Sequence, residues 1–585
     1  MNEKTTETLN SIGIKYGLDQ SSLKHNYFEI YEKFFSVDHN FRIAIVGSSE
    51  LAVKEAIAIS ESYPSSTVYF ILFGPEKNII EQYQNTKLFN FIRSKDYDEL
   101  RTIIASLENI DFLIEHSNNK KSTKLNIFLN VFLTLPPGAT YFIEDLHSTF
   151  MEKYEDSSGP NILEYICLLT REKASSTFSH GEIKYHLASA LGSFNNFGRL
   201  GAAQRSQKKY LTKITESTAD LYFSIGNKNF LKFTRNFEKE DLYPTNLQFH
   251  SNRKEFDSRF KTHIATPAVK IRSYSNVICA PGQVVAINNV VLPETFRMPL
   301  KKIGRNRHLN AVGHFFAEDI YKDIHYLSGD YLYLDNEVPG HFGHITAELI
   351  SKLWAWESLS AQYPEIHIIS SSKDGIRSKV LDEILSIFGI PLQRIIYFSS
   401  PTLVENLHCP TQKFHIGKYA IKGIEKTWKH IFDSAFVDTD LNGKKIFLSR
   451  SKATDRGCLN QEEVEKIFSE CGFEIIFPEN YTIREQISIC GTATAIAGFA
   501  GSATLNAVYS KPGIKKIIIS SETFDADNDI VISSLKGDKL YYFWCDSSIK
   551  HPTNGWSEKA FHSDYIFDIN RDALSLKAAA DVETP

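Results

Sequence analysis

Lys445-Ile-Phe-Leu-Ser449 and Thr494-Ala-Ile-Ala-Gly-Phe499 are the two runs on which the reading of this chain turns. The first is apolar and β-rich and stops at a polar loop, Arg450–Leu459. Asn460, with Glu463 three residues on, has the form of a capping box, and Val464, Ile467, Phe468 and Cys471 recur at helical spacing before Gly472. A second apolar run, Phe473–Phe477, ends at Pro478; Thr482 and Glu485 then open a short helix through Ile489. The small-residue strand Thr494–Phe499 follows. The turn Gly498–Ser502 leads into a helix expected over Ala503–Ser510, closed by Lys511-Pro-Gly513, and Ile514–Ser520 is a further buried strand. Strand and helix alternate throughout, which predicts a parallel α/β sheet.

The chemistry of such a sheet gathers at the carboxyl ends of its strands. Two features lie there: the loop with Arg450, Lys452 and Arg456, and the Gly498–Ser502 turn at an expected helix start. Cations beside backbone N–H groups suit a diphosphate. A tight turn with solvated arginines accounts for the same residues, and these residues alone leave both accounts open.

Further upstream, Tyr331–Asp335 reads as a strand, Pro339-Gly340 as a turn, and the residues through about Ser360 as a helix. His344 and Glu348 lie four apart and share a face of that helix. A His–carboxylate pair near a cleft can take a proton from a hydroxyl; it can equally tie down a helix start. His341, His344 and Glu348 also have types and spacing that could bind zinc, although one ligand would lie on a turn. The triplets Asp438-Thr-Asp440 and Asp525-Ala-Asp527 read as solvated loop acids.

The series Ser449-Arg450, Arg456, Asn460-Gln-Glu462-Glu463, Gly472-Phe473, Pro478-Glu479, Glu485-Gln486, Gly498, Gly501, Asn506 and Pro512-Gly513 resembles the C-terminal half of the family 61 glycosyltransferases. Bacterial members of that family are often called capsular polysaccharide biosynthesis proteins. Ala500 stands where the family usually has His, and Ala503 where it has Gly. His341-Phe-Gly-His344-Ile-Thr-Ala-Glu348 is similar to the family's Asn-Tyr-Tyr-His-Trp-Leu-x-Glu. The resemblance implies a two-lobed GT-B architecture, with an acceptor half over 267–430 and a nucleotide-sugar half over 431–570. It implies an enzyme that moves a hexosyl, pentosyl or related sugar from a nucleotide-sugar donor to a glycan or lipid-linked glycan acceptor, with inversion, in surface polysaccharide biosynthesis. Its catalytic candidates are His344, Glu348 and His341. Its donor-binding candidates are Arg450, Lys452, Arg456, Gly498, Gly501, Ser502 and Asn506, with no metal and no cofactor required.

The first part of the chain alternates as well: Phe41–Val46, Thr67–Phe73, Ile110–Ile114 and Thr140–Ile143 read as strands of a Rossmann-like, doubly wound domain over 38–238. Its closing run, Leu135–Thr149, contains Tyr141-Phe-Ile-Glu-Asp-Leu-His147 and resembles macrocin-type sugar O-methyltransferases, which use S-adenosylmethionine (SAM). The remainder of that site is degenerate. Gly47 stands alone before Ser48-Ser49-Glu50, the second strand ends in Phe73-Gly74-Pro75, and Glu115-His-Ser-Asn-Asn119 replaces the metal-binding acids. Neither Phe nor Pro supplies the hydrogen bonds of a ribose-binding carboxylate, so an inactive domain without SAM is expected. Residues 1–37 read as a polar lead, either helical or loose, 239–266 as a linker and 571–585 as a tail that is helical at most and frayed.

Composition sets outer bounds. The chain has 585 residues, enough for two or three cores. A net charge of -5 argues against a general nucleic-acid binder. Seven cysteines without a Cys-x-x-Cys pattern give no disulfide framework or zinc motif. Met1–Leu23 is polar, so no secretory signal is expected, and no run approaches the length of a membrane span. A cytoplasmic location follows as the expectation, with peripheral association at the inner face of the cell membrane left open. Two other readings stand beside the transferase: a bifunctional methyltransferase–glycosyltransferase, and a non-catalytic scaffold of a polysaccharide assembly.

Overall fold

The computed structural model describes residues 8–35, 40–175, 181–301, 304–317, 320–372, 375–451 and 456–581. Two compact units divide the chain: residues 1–231 with 284–322, and residues 232–283 with 323–585.

The first unit is built on a seven-stranded sheet of β1 (Arg42–Gly47), β2 (Thr67–Phe73), β3 (Asn90–Ser94), β4 (Phe112–His116), β5 (Thr140–Ile143), β6 (Leu191–Asn196) and β7 (Gly201–Arg205), in the order β3-β2-β1-β4-β5-β7-β6. Pairing is parallel from β3 to β5, and β7 runs antiparallel to both its neighbours. Buried Ile43, Ile45, Phe70, Leu72 and Ile114 line one face and Ala44, Val46, Ile71, Leu113 and Ile143 the other, the alternation of a sheet covered on both sides.

The amino-terminal stretch is not a loose lead. Among its described residues, α1 (Leu9–Lys15) and α2 (Tyr27–Phe34) place Leu9, Ile12, Tyr27, Phe28 and Tyr31 in the same core as α3 (Glu50–Ser62). Each large apolar side chain so buried contributes on the order of 2 kcal/mol, which outweighs the polarity of the residues between them. The order of strands reverses between β1 and β4, where Gly47 pairs with His116. This is the switch point at which a doubly wound sheet opens a crevice.

Residues 284–322 belong to the first unit rather than to an acceptor half beginning at 267. Val290–Val291 pairs in parallel with Leu211–Lys213, and Phe315–Phe316 pairs with the other edge of that strand. The valine-rich run is thus captured by a strand some 80 residues upstream, a pairing no local pattern announces.

In the second unit, Lys445–Leu448, Phe473–Ile476, Ala495–Phe499, Lys515–Ser521 and Lys539–Ser547 form a parallel sheet, as the alternation predicts. Thr482 and Glu485 make the expected reciprocal capping box. Asn460 does not cap its helix with its side chain; its carboxamide bonds Glu463 and both backbone groups of Phe567. The stretch expected as a linker contributes Gln248–Ser251 as an edge strand parallel to Lys539–Ser547. Phe249, Phe256 and Phe260 pack there against the core around Tyr542 and Trp544, so three aromatics decide against a solvated linker. The tail is likewise anchored: the helix Ile569–Asp581 buries Leu576, Ala579 and Ala580. A second sheet of this unit sets Lys270–Ala280 antiparallel to Thr402–Pro410. The latter runs parallel to His325–Tyr333, followed by His367–Ser371 and Ile395–Phe398.

Candidate functional site

The strand His325–Tyr333 leads to Asp335, fully buried at its carboxyl end. Its carboxylate accepts from the Ser371 N–H at 3.1 Å, the Ser371 hydroxyl at 2.7 Å and the Gln283 N–H at 3.1 Å. Burial pushes this carboxyl above its usual range, and the Ser371 bonds pull against that shift. The chain then turns through Gly340, at φ 80°. Where a plain α-helix is expected, His344–Glu348 forms one widened π-type turn and Leu349–Ala355 continues in tighter 3-10 turns. Such widened turns recur at functional sites.

The irregular turn keeps the expected pair together. His344 Nδ1 lies 2.6 Å from Glu348 Oε2. Glu348 is wholly buried, and its second oxygen accepts the Ile416 N–H at 2.9 Å. His415 Nδ1 is 3.5 Å from that same oxygen and 2.8 Å from the Ile416 carbonyl oxygen. A buried carboxylate persists only with such partners. His344 is partly exposed, and the exposed His341 ring sits 4.8 Å from it, centroid to centroid.

Across from this turn lies the second set of expected residues. A Cβ placed on Gly343 would come within 2.7 Å of Leu505 Cδ1 and 3.2 Å of Ser502 Oγ, so the two segments touch through a residue without a side chain. One residue before Ser502, a Cβ on Gly501 would run into the Arg450 guanidinium, whose Nη2 donates to the Ala500 carbonyl at 2.5 Å. Gly498 lies within the strand Ala495–Phe499, opposite Leu448. The fold therefore joins Arg450, Gly501, Ser502 and Gly343 in one contiguous row beside His341, His344 and Glu348.

Other expected donor contacts lie elsewhere. Arg456, in the left-handed region at φ 55°, stacks its guanidinium over Phe524 at 4.3 Å and Phe561 at 5.3 Å. Asn506 is buried and donates to Gln486 at 3.1 Å. Lys452 falls outside the described residues. The helix expected over Ala503–Ser510 is a six-residue 3-10 segment, Thr504–Tyr509. Thr504 turns back to donate to the Gly501 carbonyl at 3.0 Å. So short a segment sums few peptide dipoles, so the turn lacks the helix dipole expected of it and offers only the Arg450 guanidinium and local backbone groups.

Three participants escape a sequence reading: Gln461, Asp335 and His415. Gln461 donates to the Arg450 carbonyl at 2.8 Å and to Ser449 Oγ at 3.0 Å, and so holds the loop that carries Arg450. It sits inside the quoted Asn460–Glu463 run, which was the available signal. Asp335 closes the expected strand Tyr331–Asp335, which was its signal, whereas nothing local to His415, in a short hairpin with Tyr419, announces its approach to Glu348.

In the first unit, the crevice at the β1/β4 switch point is crossed by the chain's own side chains. Gln20 Nε2 reaches His116 Nδ1 at 3.1 Å and Glu144 Oε2 at 3.0 Å, and the Tyr31 hydroxyl donates to Glu144 Oε1 at 2.6 Å.

No curated protein matches the chain significantly. The methyltransferase MycE of the mycinamycin biosynthetic pathway, solved with Mg and SAH, aligns at 11% identity and a TM-score of 0.29, over 34% of this chain and 55% of its own. The chain thus spans about half the length of that protein. The fibrillarin pre-rRNA processing protein of Methanococcus jannaschii aligns at 12% identity and a TM-score of 0.21, over 30% of this chain and 69% of its own. The antibiotic-resistance methyltransferase Kmr aligns at 12% identity and a TM-score of 0.20, over 29% and 89%. Residues 342–518 match the family model Glycosyltransferase 61. The segment that carries the His344–Glu348 pair and the Arg450–Gly501 contact is therefore glycosyltransferase 61-like.

Proposed function

We propose that the second unit is an inverting glycosyltransferase of GT-B plan. In this reading a sugar passes from a nucleotide-sugar donor to a glycan or lipid-linked glycan acceptor of a bacterial-type surface polysaccharide such as a capsule. The observation that carries this reading is the His344–Glu348 pair at 2.6 Å, set directly against the Ser502 turn. A buried carboxylate on Nδ1 holds the proton there and leaves Nε2 with its lone pair, the form a general base requires. His344 then takes the acceptor hydroxyl's proton as the oxygen attacks the anomeric carbon from the face opposite the leaving nucleotide. Glu348 orients His344 and stabilises its imidazolium, and His341 borders the acceptor. Arg450, with the Gly501–Ser502 backbone, neutralises the departing diphosphate, so that no metal ion is needed for that step. Lys452 and Arg456 remain candidates for the donor's outer contacts.

Among the described residues no helix is long and apolar enough to cross a membrane. We place the enzyme in the cytoplasm, reaching any lipid-linked acceptor from the membrane's inner face. The first unit is assigned no methyl transfer, because Gln20 and Tyr31 occupy the crevice where SAM would enter. A scaffold role is the second reading, favoured by the engagement of Arg450 with Ala500 and of Asn506 with Gln486. The test is a panel of nucleotide sugars assayed for transfer and hydrolysis, with and without EDTA, alongside calorimetric binding of each nucleotide. Turnover that survives EDTA supports the proposal, abolition by EDTA overturns its metal-free step, and absence of any nucleotide binding supports the scaffold.

A further inference from the structure

Behind the Gly501–Ser502 turn, one hydroxyl is shared by two oxygens. Thr504 Oγ1 lies 3.0 Å from the Gly501 carbonyl oxygen and 3.1 Å from Asp529 Oδ2. Asp529 belongs to the helix Asn528–Lys536, and both it and Thr504 are buried. The Gly501 N–H approaches the same hydroxyl at 3.5 Å. A threonine hydroxyl has one proton to donate. If Asp529 is ionised it accepts that proton, and the Gly501 carbonyl is left facing an oxygen lone pair at 3.0 Å. If Asp529 is protonated it donates to Thr504, Thr504 donates to Gly501, and both short contacts are hydrogen bonds. The geometry is that of the acid.

The surroundings agree. Asp529 Oδ1 is buried without a hydrogen-bond partner, which a neutral acid tolerates better than a carboxylate. Lys516, fully buried on the strand Lys515–Ser521, favours the ionised form, but its ammonium is paired with Asp538 at 2.7 Å. Tyr542, on the strand Lys539–Ser547, is a further titratable neighbour. On the helix of Asp529, Lys536 donates to the Val508 carbonyl at 2.8 Å and feels Glu425 from Ile424–Ala435. Asp527, just before that helix, accepts from Arg259 at 2.7 Å. Burial prevails over Lys516, and the Asp529 carboxyl is pushed up to about 6.

A trans peptide directs its C=O and its N–H to opposite sides. Holding the Gly501 carbonyl towards Thr504 therefore turns the Ser502 N–H away from the helix Asn528–Lys536. We propose that Asp529, in its protonated form, is a positioning residue of the donor site, fixing the Gly501–Ser502 peptide through Thr504 so that its N–H is presented to the donor diphosphate. The ligand follows from the transferase reading; the relay of hydrogen bonds does not depend on it. Donor affinity is then highest while Asp529 holds its proton. It falls as the pH rises through about 6, where the carboxylate draws the Thr504 proton away from Gly501. By linkage, a bound diphosphate raises the proton affinity of Asp529, so donor binding takes up a proton.

The full-length protein is titrated by calorimetry with the panel of nucleotide sugars, whose diester-linked diphosphates have no proton to lose near neutrality. Measurements at about pH 5 and about pH 7.5 bracket the transition. The expected result is an affinity about tenfold lower at the higher pH, with proton uptake on binding there. Both effects should vanish in Asp529→Asn, whose carboxamide N–H donates to Thr504 at either pH. Thr504→Val should bind weakly at both, and Thr504→Ser should restore the wild-type profile. Hydrogen exchange over residues 498–505 of the ligand-free protein gives a second readout. Wild-type protection, taken relative to Asp529→Asn, should fall as the pH rises past about 6; should that variant fail to fold, Thr504→Val serves as the reference. A pH profile that persists in Asp529→Asn, or wild-type protection that keeps a constant ratio to the variant's, would overturn the proposal. If no nucleotide sugar binds, the transferase reading fails and the exchange measurement alone decides the relay.

Discussion

The two parallel sheets put opposite things at the carboxyl ends of their strands. At the β1/β4 switch point of the first unit, Gln20 and Tyr31 cross the crevice and bond His116 and Glu144. In the second unit, the corresponding rim is bounded by Gly501 and Gly343, where even a Cβ would collide with Arg450 or Leu505. Side chains fill the first site; backbone bounds the second, with one cation laid against it. A doubly wound sheet thus makes a crevice by topology, and the residues at the rim decide whether it is sealed or kept for a ligand. A doubly wound fold in the first unit therefore says nothing about methyl transfer.

The largest effect expected from breaking this contrast is at the His–Glu pair. His344→Ala and Glu348→Ala should each lower turnover by about a hundredfold or more while nucleotide affinity stays near that of the wild type. Transfer rates near normal in both folded variants would make the pair structural. Gly501→Val comes next. Its side chain must displace the Arg450 guanidinium, and donor nucleotide should bind about tenfold more weakly, ~1.4 kcal/mol by calorimetry. Arg450→Ala should match it; unchanged affinity in both would move the diphosphate elsewhere.

Tyr31→Phe probes the sealed crevice. It removes the hydroxyl that donates to buried Glu144 and should destabilise the first unit by about 1–3 kcal/mol in chemical denaturation, with transfer activity intact. Loss of transfer in the folded variant would tie the first unit to catalysis.

The smallest effect concerns Asp529, behind the Gly501 turn, which accepts from Thr504 at 3.1 Å. Burial raises its pKa from 3.8 to about 6. The folded state then holds this proton more tightly than the unfolded chain between those values. Its contribution to stability is greatest below about pH 4, falls as pH rises towards 6 and is level above. Asp529→Asn should remove that slope and stabilise the second unit by about 1 kcal/mol at pH 7. An unchanged slope in the variant would assign the pH dependence to other groups.

By itself the sequence determined the elements whose signals are local. Apolar runs with caps and breakers marked Lys445–Leu448, Ala495–Phe499 and the Thr482–Glu485 capping box. Helical spacing put His344 and Glu348 side by side, and they are in contact. Only the tertiary structure decided which rim residues face one another. Gly343 meets Ser502 across some 160 residues of chain, and Arg450 meets Ala500 across 50. It also turned Asn506 towards Gln486 and Arg456 onto Phe524 and Phe561, and it made the Gln248–Ser251 stretch a strand and the amino-terminal lead a packed helix pair. The reason is physical: periodicity and capping are set by neighbours within a few residues, whereas burial of an aromatic or pairing of a strand depends on partners that only folding brings near.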